Sequence, residues 1–178
     1  MSILGEDITP KKRELSAEEL AFSYDQRLII DGISLEIPEH TTTAIVGPSG
    51  SGKTTLVSLL ARFWDPEKGN VFLGARNVKD YDMDSLMANF SFVFQNVYLF
   101  HDSILNNIRF ARPELTEEKT VILIAHRLKT VSKADQILVL EQGKIVQKGS
   151  HEELLQEDGL YKDFIQERKE AVSWKVRK

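Results

Sequence analysis

The chain has 178 residues, 42% of them hydrophobic and 28% charged, with a formal net charge of −4. That length suits about one domain with a sizeable core, and the acidic balance argues against nucleic acid as a main partner, because phosphate-backbone binders are usually basic. Cysteine is absent, which excludes disulfides and thiolate metal sites, and the four histidines (40, 101, 126 and 151) share no metal-ligand spacing. No apolar run approaches the ~20 residues of a membrane-spanning helix, and the first residues lack the basic-then-apolar order of a secretory signal. A membrane connection would have to run through a partner or through a segment outside this sequence.

In chain order, residues 1–18 are polar and mixed in charge and read as a linker. "ELAFSY" (19–24) reads as a strand, and "LIIDGISLEI" (28–37) as two short apolar runs about an Asp31-Gly32 hairpin turn. His40 follows "IP" in a turn. "TTTAIV" (41–46) is a strand that leads into a glycine-rich turn. Leu56, Leu59, Leu60 and Phe63 then recur at helical spacing and predict one apolar helix face. "NVFLG" (70–74) and "FSFVFQ" (90–95) read as strands, and "SILNNI" (103–108) as a helix behind Asp102 as N-cap.

Val121–Ala125 form an unbroken apolar run, expected as a core strand buried on both faces, with His126 at its tip. "QILVL" and "KIVQK" flank Glu141-Gln142-Gly143 as a hairpin, Ser150 with Glu153 predicts a capping box for a helix over 151–157, and Gly159 precedes a last helix, Leu160–Glu170. Residues 171–178 read as a tail. Strands alternating with helices predict an α/β fold with added antiparallel hairpins.

"GPSGSGKT" (47–54) satisfies G-x-x-x-x-G-K-[ST] between a strand and an amphipathic helix. Glycines let the backbone curl so that successive N–H groups can face phosphate oxygens, and the following helix adds the positive end of its dipole. Lys53 can reach the β- and γ-phosphates, and the Thr54 hydroxyl can ligate Mg²⁺. The pattern predicts nucleoside triphosphate binding by Gly47, Pro48, Ser49, Gly50, Ser51, Gly52, Lys53, Thr54 and Thr55. Two imitations fail. "DYDMD" (80–84) has calcium-like spacing, but Ser85 stands where that loop needs glycine and Ser91 where it needs glutamate. "ILVLEQ" (137–142) imitates a strand ending in a metal-binding acid.

Around the phosphate loop, "FSYDQ", "FVFQNVYLFHDSILNNIRFARP", "IAHRLKTVSKADQILVLEQGKIVQKGSHEELL" and "GLYKDF" stand in the order of the ATP-binding cassette (ABC) domain. The chain resembles this family, in its exporter type, over about residues 19–167. The resemblance implies a P-loop NTPase-like, mostly parallel sheet with an added antiparallel β subdomain, spanning 19–170. It implies ATP and Mg²⁺ as ligands, and partners in a transmembrane domain and a second nucleotide-binding domain, identical or different. It implies a place on the cytoplasmic side of a membrane and an ATPase that powers transport. Tyr24 matches the aromatic that stacks on adenine, Gln95 the glutamine that contacts Mg²⁺ and the attacking water, and His126 the histidine that bonds the γ-phosphate. Lys53, Gln95 and His126 are thereby the expected catalytic set. Glu141 falls, on the family pattern, in a hairpin far from catalysis. His40 stands where relatives usually carry a turn glycine.

The chain departs from the family near Arg112–Glu118. There the family carries a helical subdomain with an LSGGQ signature, then a Walker B strand ending in a metal-binding aspartate and a catalytic glutamate; this sequence has neither. Loss of that strand is expected to open a gap beside the P-loop strand and to expose strand edges. Two explanations follow: the functional polypeptide contains a segment that this sequence lacks, or the chain is an internal deletion that binds nucleotide without turnover. A small P-loop kinase would share the phosphate loop but would leave Tyr24, Gln95 and His126 unexplained.

Overall fold

The computed structural model describes residues 10–91, 120–125 and 128–167. Two four-stranded sheets organise these residues. The first is antiparallel, in the order β2-β1-β4-β5, built from β1 (Leu15–Tyr24), β2 (Arg27–Ile37), β4 (Lys68–Leu73) and β5 (Arg76–Asn77). In the second, the order is β6-β3-β7-β8, with β3 (Thr42–Val46), β6 (Val121–Ile124) and β7 (Gln136–Glu141) parallel and β8 (Lys144–Gly149) antiparallel to β7. Helices α1 (Lys53–Leu60), α2 (Met83–Met87), α3 (Leu128–Val131), α4 (His151–Gln156) and α5 (160–167), with a 3₁₀ turn at Val78–Asp80, complete the described elements. The fold is α/β with a P-loop-type parallel sheet and an added antiparallel β subdomain.

Strand alternation explains why the second sheet is covered twice. Ile45, Leu138 and Leu140 point into a core shared with Leu56 and Leu59 of α1 and with Leu20, Ile30 and Ile37 of the first sheet. Ala44, Val46, Ile137 and Val139 point the other way, onto Leu154, Tyr161 and Ile165 of α4 and α5. The capping box is complete: the Ser150 hydroxyl accepts from the Glu153 amide (3.3 Å) and the Glu153 carboxylate accepts from the Ser150 amide (2.8 Å). These bonds hold the Glu153 carboxyl below the usual range. Asp82, from the rejected calcium-like run, caps α2 by accepting from the amides of Asp84 and Ser85, each at 3.0 Å.

Several expectations are corrected. Strand β1 begins at Leu15, inside the stretch read as linker, and Leu15 and Ala17 are buried. Asp31-Gly32 is not a hairpin turn: β2 runs through it, and Gly32 (φ 66°) sits at an irregularity in the pairing with β1. The turn lies at Asp25-Gln26, between the two strands. Helix α1 stops at Leu60 because Arg62 adopts a left-handed conformation (φ 55°), so Phe63 leaves the apolar face and is exposed. His40 is also left-handed (φ 58°), as a turn glycine would be.

The strand expected to be buried on both faces is half-buried along its length, because β6 is the edge strand among the described residues. No gap opens beside the P-loop strand either: β3 is paired on both sides, by β6 and β7. The edge falls one strand further out. Strand β6 enters the sheet directly after residue 120, with the Val121 amide donating to the Thr41 carbonyl (2.8 Å) and the His40 amide to the Thr120 hydroxyl (3.1 Å). The strand reading of 90–95 is not met at Phe90 and Ser91, which lie in no strand; its remainder (92–95), the helix reading of 103–108 and the Asp102 cap lie outside the described residues.

Candidate nucleotide-binding site

Strand β3 ends at Val46 in the middle of its sheet, and the chain must then turn sharply to start α1. Gly47 (φ 147°) makes that turn, and a Cβ there would run into the Leu140 carbonyl oxygen of β7. Gly52 (φ 100°) is the N-cap of α1 in a conformation that other residues rarely adopt. No side chain caps α1, and no acidic residue sits in its first turn. Its leading N–H groups and dipole end are therefore available to an anion.

Lys53 begins α1 and is 8% exposed. Its Nζ donates to the carbonyls of Gly47 (3.0 Å) and Pro48 (2.7 Å) and to the Ser51 hydroxyl (3.3 Å). The ammonium is thus held inside the curl of the loop, and burial pushes its pKa below the usual lysine value. A buried cation in a ring of backbone dipoles, beside an uncapped helix start, suits the phosphates of a nucleotide. The exposed Thr54 hydroxyl at the mouth is an oxygen donor of the kind Mg²⁺ takes. Among the described residues no group of three or more His, Asp or Glu could hold a metal by itself.

A cavity of about 660 Å³ adjoins this loop, enough for a nucleotide-sized ligand. Gly47, Pro48, Ser49, Gly50, Lys53 and Thr54 line one side. The sheet contributes Val46, Ile124 and Val139 to the lining, and α5 contributes Tyr161, Asp163 and Glu167 among its residues. Ser51, Gly52 and Thr55 are buried in the loop and helix and are not among the lining residues. Tyr24 is not among them either. It ends β1, is 42% exposed, and meets Phe22 and Trp64 edge-on at 4.9 and 6.1 Å between ring centroids. Gln95 and His126 lie outside the described residues, although Ile124 brings the end of β6 to the cavity.

The β7–β8 turn was expected to lie far from this site, and the structure corrects that. The Gly143 amide donates to the Ser51 carbonyl (3.2 Å), while the Gly143 carbonyl accepts from the Asp31 amide (3.0 Å). The hairpin therefore braces the phosphate loop and ties it to the first sheet. Glu141 itself stays in the hairpin, paired with Lys144. The lining residues Asp163 and Glu167 were also missed. Their only sequence signal is the one-turn spacing on a helix whose orientation is set by distant packing.

The ABC transporter family profile matches residues 30–154, most of the chain. The chain belongs to the ABC transporter family. An ATP-dependent lipid A-core flippase of Vibrio vulnificus (strain CMCP6) is 29% identical, matching 84% of this chain and 40% of its own length. The protein of the same name from Haemophilus ducreyi is 30% identical with the same coverage. A solved structure described as a bacterial Atm1-family ABC exporter with ATP bound superposes with a TM-score of 0.76 at 26% identity, over 90% of this chain and 42% of its own. These relatives identify an exporter-type ABC nucleotide-binding domain, and the chain spans about 40% of the length of the flippases it matches. The first alignment runs over 234 positions, more than the 178 residues present, so the flippase carries residues with no counterpart in this ABC chain. Among the described residues no helix is long and apolar enough to cross a membrane.

Proposed function

We propose that this domain binds ATP with Mg²⁺ on the Gly47–Thr55 loop, and that in a complete transporter this binding and subsequent hydrolysis drive a substrate across a membrane. The observation that carries the reading is Lys53, buried at the uncapped start of α1 with its ammonium inside the loop. Lys53 and the loop amides would hold the phosphates, and Thr54 with Gln95 would hold Mg²⁺, which when bound neutralises phosphate charge. Tyr24 would stack on the base, and His126, following β6, would meet the terminal phosphate. A transmembrane domain and a second nucleotide-binding domain would be its partners, on the cytoplasmic face. The named exporters and the ATP-bound relative support this assignment.

Calorimetric titration of the purified chain with Mg²⁺-ATP tests the reading. Lys53→Ala should weaken binding at least about thirtyfold, the equivalent of losing about 2 kcal/mol of charge-assisted hydrogen bonding, with little change in melting temperature. Equal affinity in the two proteins would remove the phosphate-loop assignment.

A second reading, binding without turnover, is favoured by the sequence near Arg112–Glu118, where no signature loop and no acid-ended strand stand. Intact mass decides between the two. At 20.3 kDa the polypeptide carries no further segment near Arg112–Glu118, and ATP should then bind without hydrolysis. A larger mass would mark a further segment, and Mg²⁺-dependent ATPase activity sensitive to His126→Ala should accompany it.

A further inference from the structure

The α5 side of the cavity that adjoins the phosphate loop carries charge of the wrong sign for a bare nucleotide. Asp163 and Glu167 stand one helical turn apart on α5 and line the same cavity as Lys53 and Thr54. Among the described residues neither carboxylate has an ion-pair partner. The helix that carries them is well anchored. Tyr161 and Ile165 are buried against the parallel sheet, the Tyr161 amide donates to the Gln147 side chain (2.9 Å), and the Tyr161 hydroxyl lies 2.6 Å from His151 Nδ1.

We propose that Asp163 and Glu167 make the cavity selective for the metal-complexed triphosphate over the metal-free one. The inference rests on the nucleotide reading above. A triphosphate on the loop is countered by one lysine and one helix dipole, and α5 then adds two negative charges to the same cavity. Repulsion between like charges in one cavity disfavours the metal-free anion. Mg²⁺ bound through the Thr54 hydroxyl and phosphate oxygens lowers the net negative charge of the ligand, so the same carboxylates repel the complex less. Both side chains are exposed to solvent, so ionic strength screens the effect. The two residues act here on specificity and take no part in bond making or breaking.

The test is calorimetric titration with ATP at low salt, once with excess Mg²⁺ and once with EDTA. Three chains are compared: the wild type, the neutral pair Asp163→Asn/Glu167→Gln, and the charge-keeping pair Asp163→Glu/Glu167→Asp. The neutral pair should narrow the ratio of the two affinities about fivefold, chiefly by tighter metal-free binding, and the difference should shrink as salt is raised. The charge-keeping pair should keep the wild-type ratio. An unchanged ratio in the neutral pair, with wild-type melting temperature, would overturn this proposal and leave the nucleotide site standing. Absence of ATP binding by the wild type in both conditions would overturn the nucleotide reading, and this proposal with it.

Discussion

Strands β3 and β6 lie side by side, run parallel and carry similar apolar residues, yet only one of them is sealed. Ala44 and Ile45 of β3 are 0% exposed, whereas all four residues of β6 are half-buried. The two strands meet the same layers: Ile122 packs against the core that contains α1, and Leu123 against the core that contains α4 and α5. What differs is the number of neighbours. Strand β3 has β6 and β7 at its flanks, while β6, among the described residues, has β3 alone. Apolar content therefore specifies a strand with two packed faces, but burial also depends on which strand occupies the next place in the sheet. Among the described residues the edge falls on β6, which follows the stretch where family members carry a further block.

Truncation of matched residues tests that difference most strongly. Ile45→Ala should cost about 4 kcal/mol, the range for emptying a sealed core site, and Ile124→Ala about 1 kcal/mol, since part of its surface is already in water. Urea unfolding measures both, and equal losses would mean that β6 is covered by something beyond the described elements. A proton linkage reports on the helix layer that seals one face of β3. Burial pushes the Tyr161 phenol up to about 12, so the folded state keeps its proton where the unfolded chain loses it. The stabilisation is complete below the unfolded value of about 10 and is lost as pH rises through 12. Melting temperatures across that interval should fall more steeply for the wild type than for Tyr161→Phe, and parallel curves would detach Tyr161 from the stability of this layer. A small effect, like that of Ile124→Ala, is expected from Ser150→Ala, which breaks the capping box at the start of α4 and should cost about 1 kcal/mol. A loss comparable to that of Ile45→Ala would show that α4 is needed for β3 to form at all.

The candidate site divides in the same way. Its phosphate loop was legible because every feature lies within eight consecutive residues: the turn glycines, Lys53 and Thr54. The hairpin at Glu141-Gln142-Gly143 and the Ser150–Glu153 cap were legible for the same reason. Asp31-Gly32 misled because a turn dipeptide serves equally well as a bulge inside a strand, and the partner strand decides which it becomes. Phe63 misled because helical periodicity does not announce its own end, which here depends on the left-handed Arg62. Arg62 is itself held by the Val78 and Tyr81 carbonyls, at 2.9 and 3.1 Å from its guanidinium nitrogen.

By itself, the sequence determined the chemistry of the phosphate loop, the α/β character and the local caps and turns, since each depends on a few neighbouring residues and their backbone preferences. The tertiary structure alone decided that β6 stands at the edge of its sheet among the described residues, that the Gly143 turn braces the loop, and that the carboxylates of α5 line the same cavity as Lys53. These are pairings between segments distant in the chain. Their physical cause is the order of strands and the layers packed on them, which no short window of residues contains.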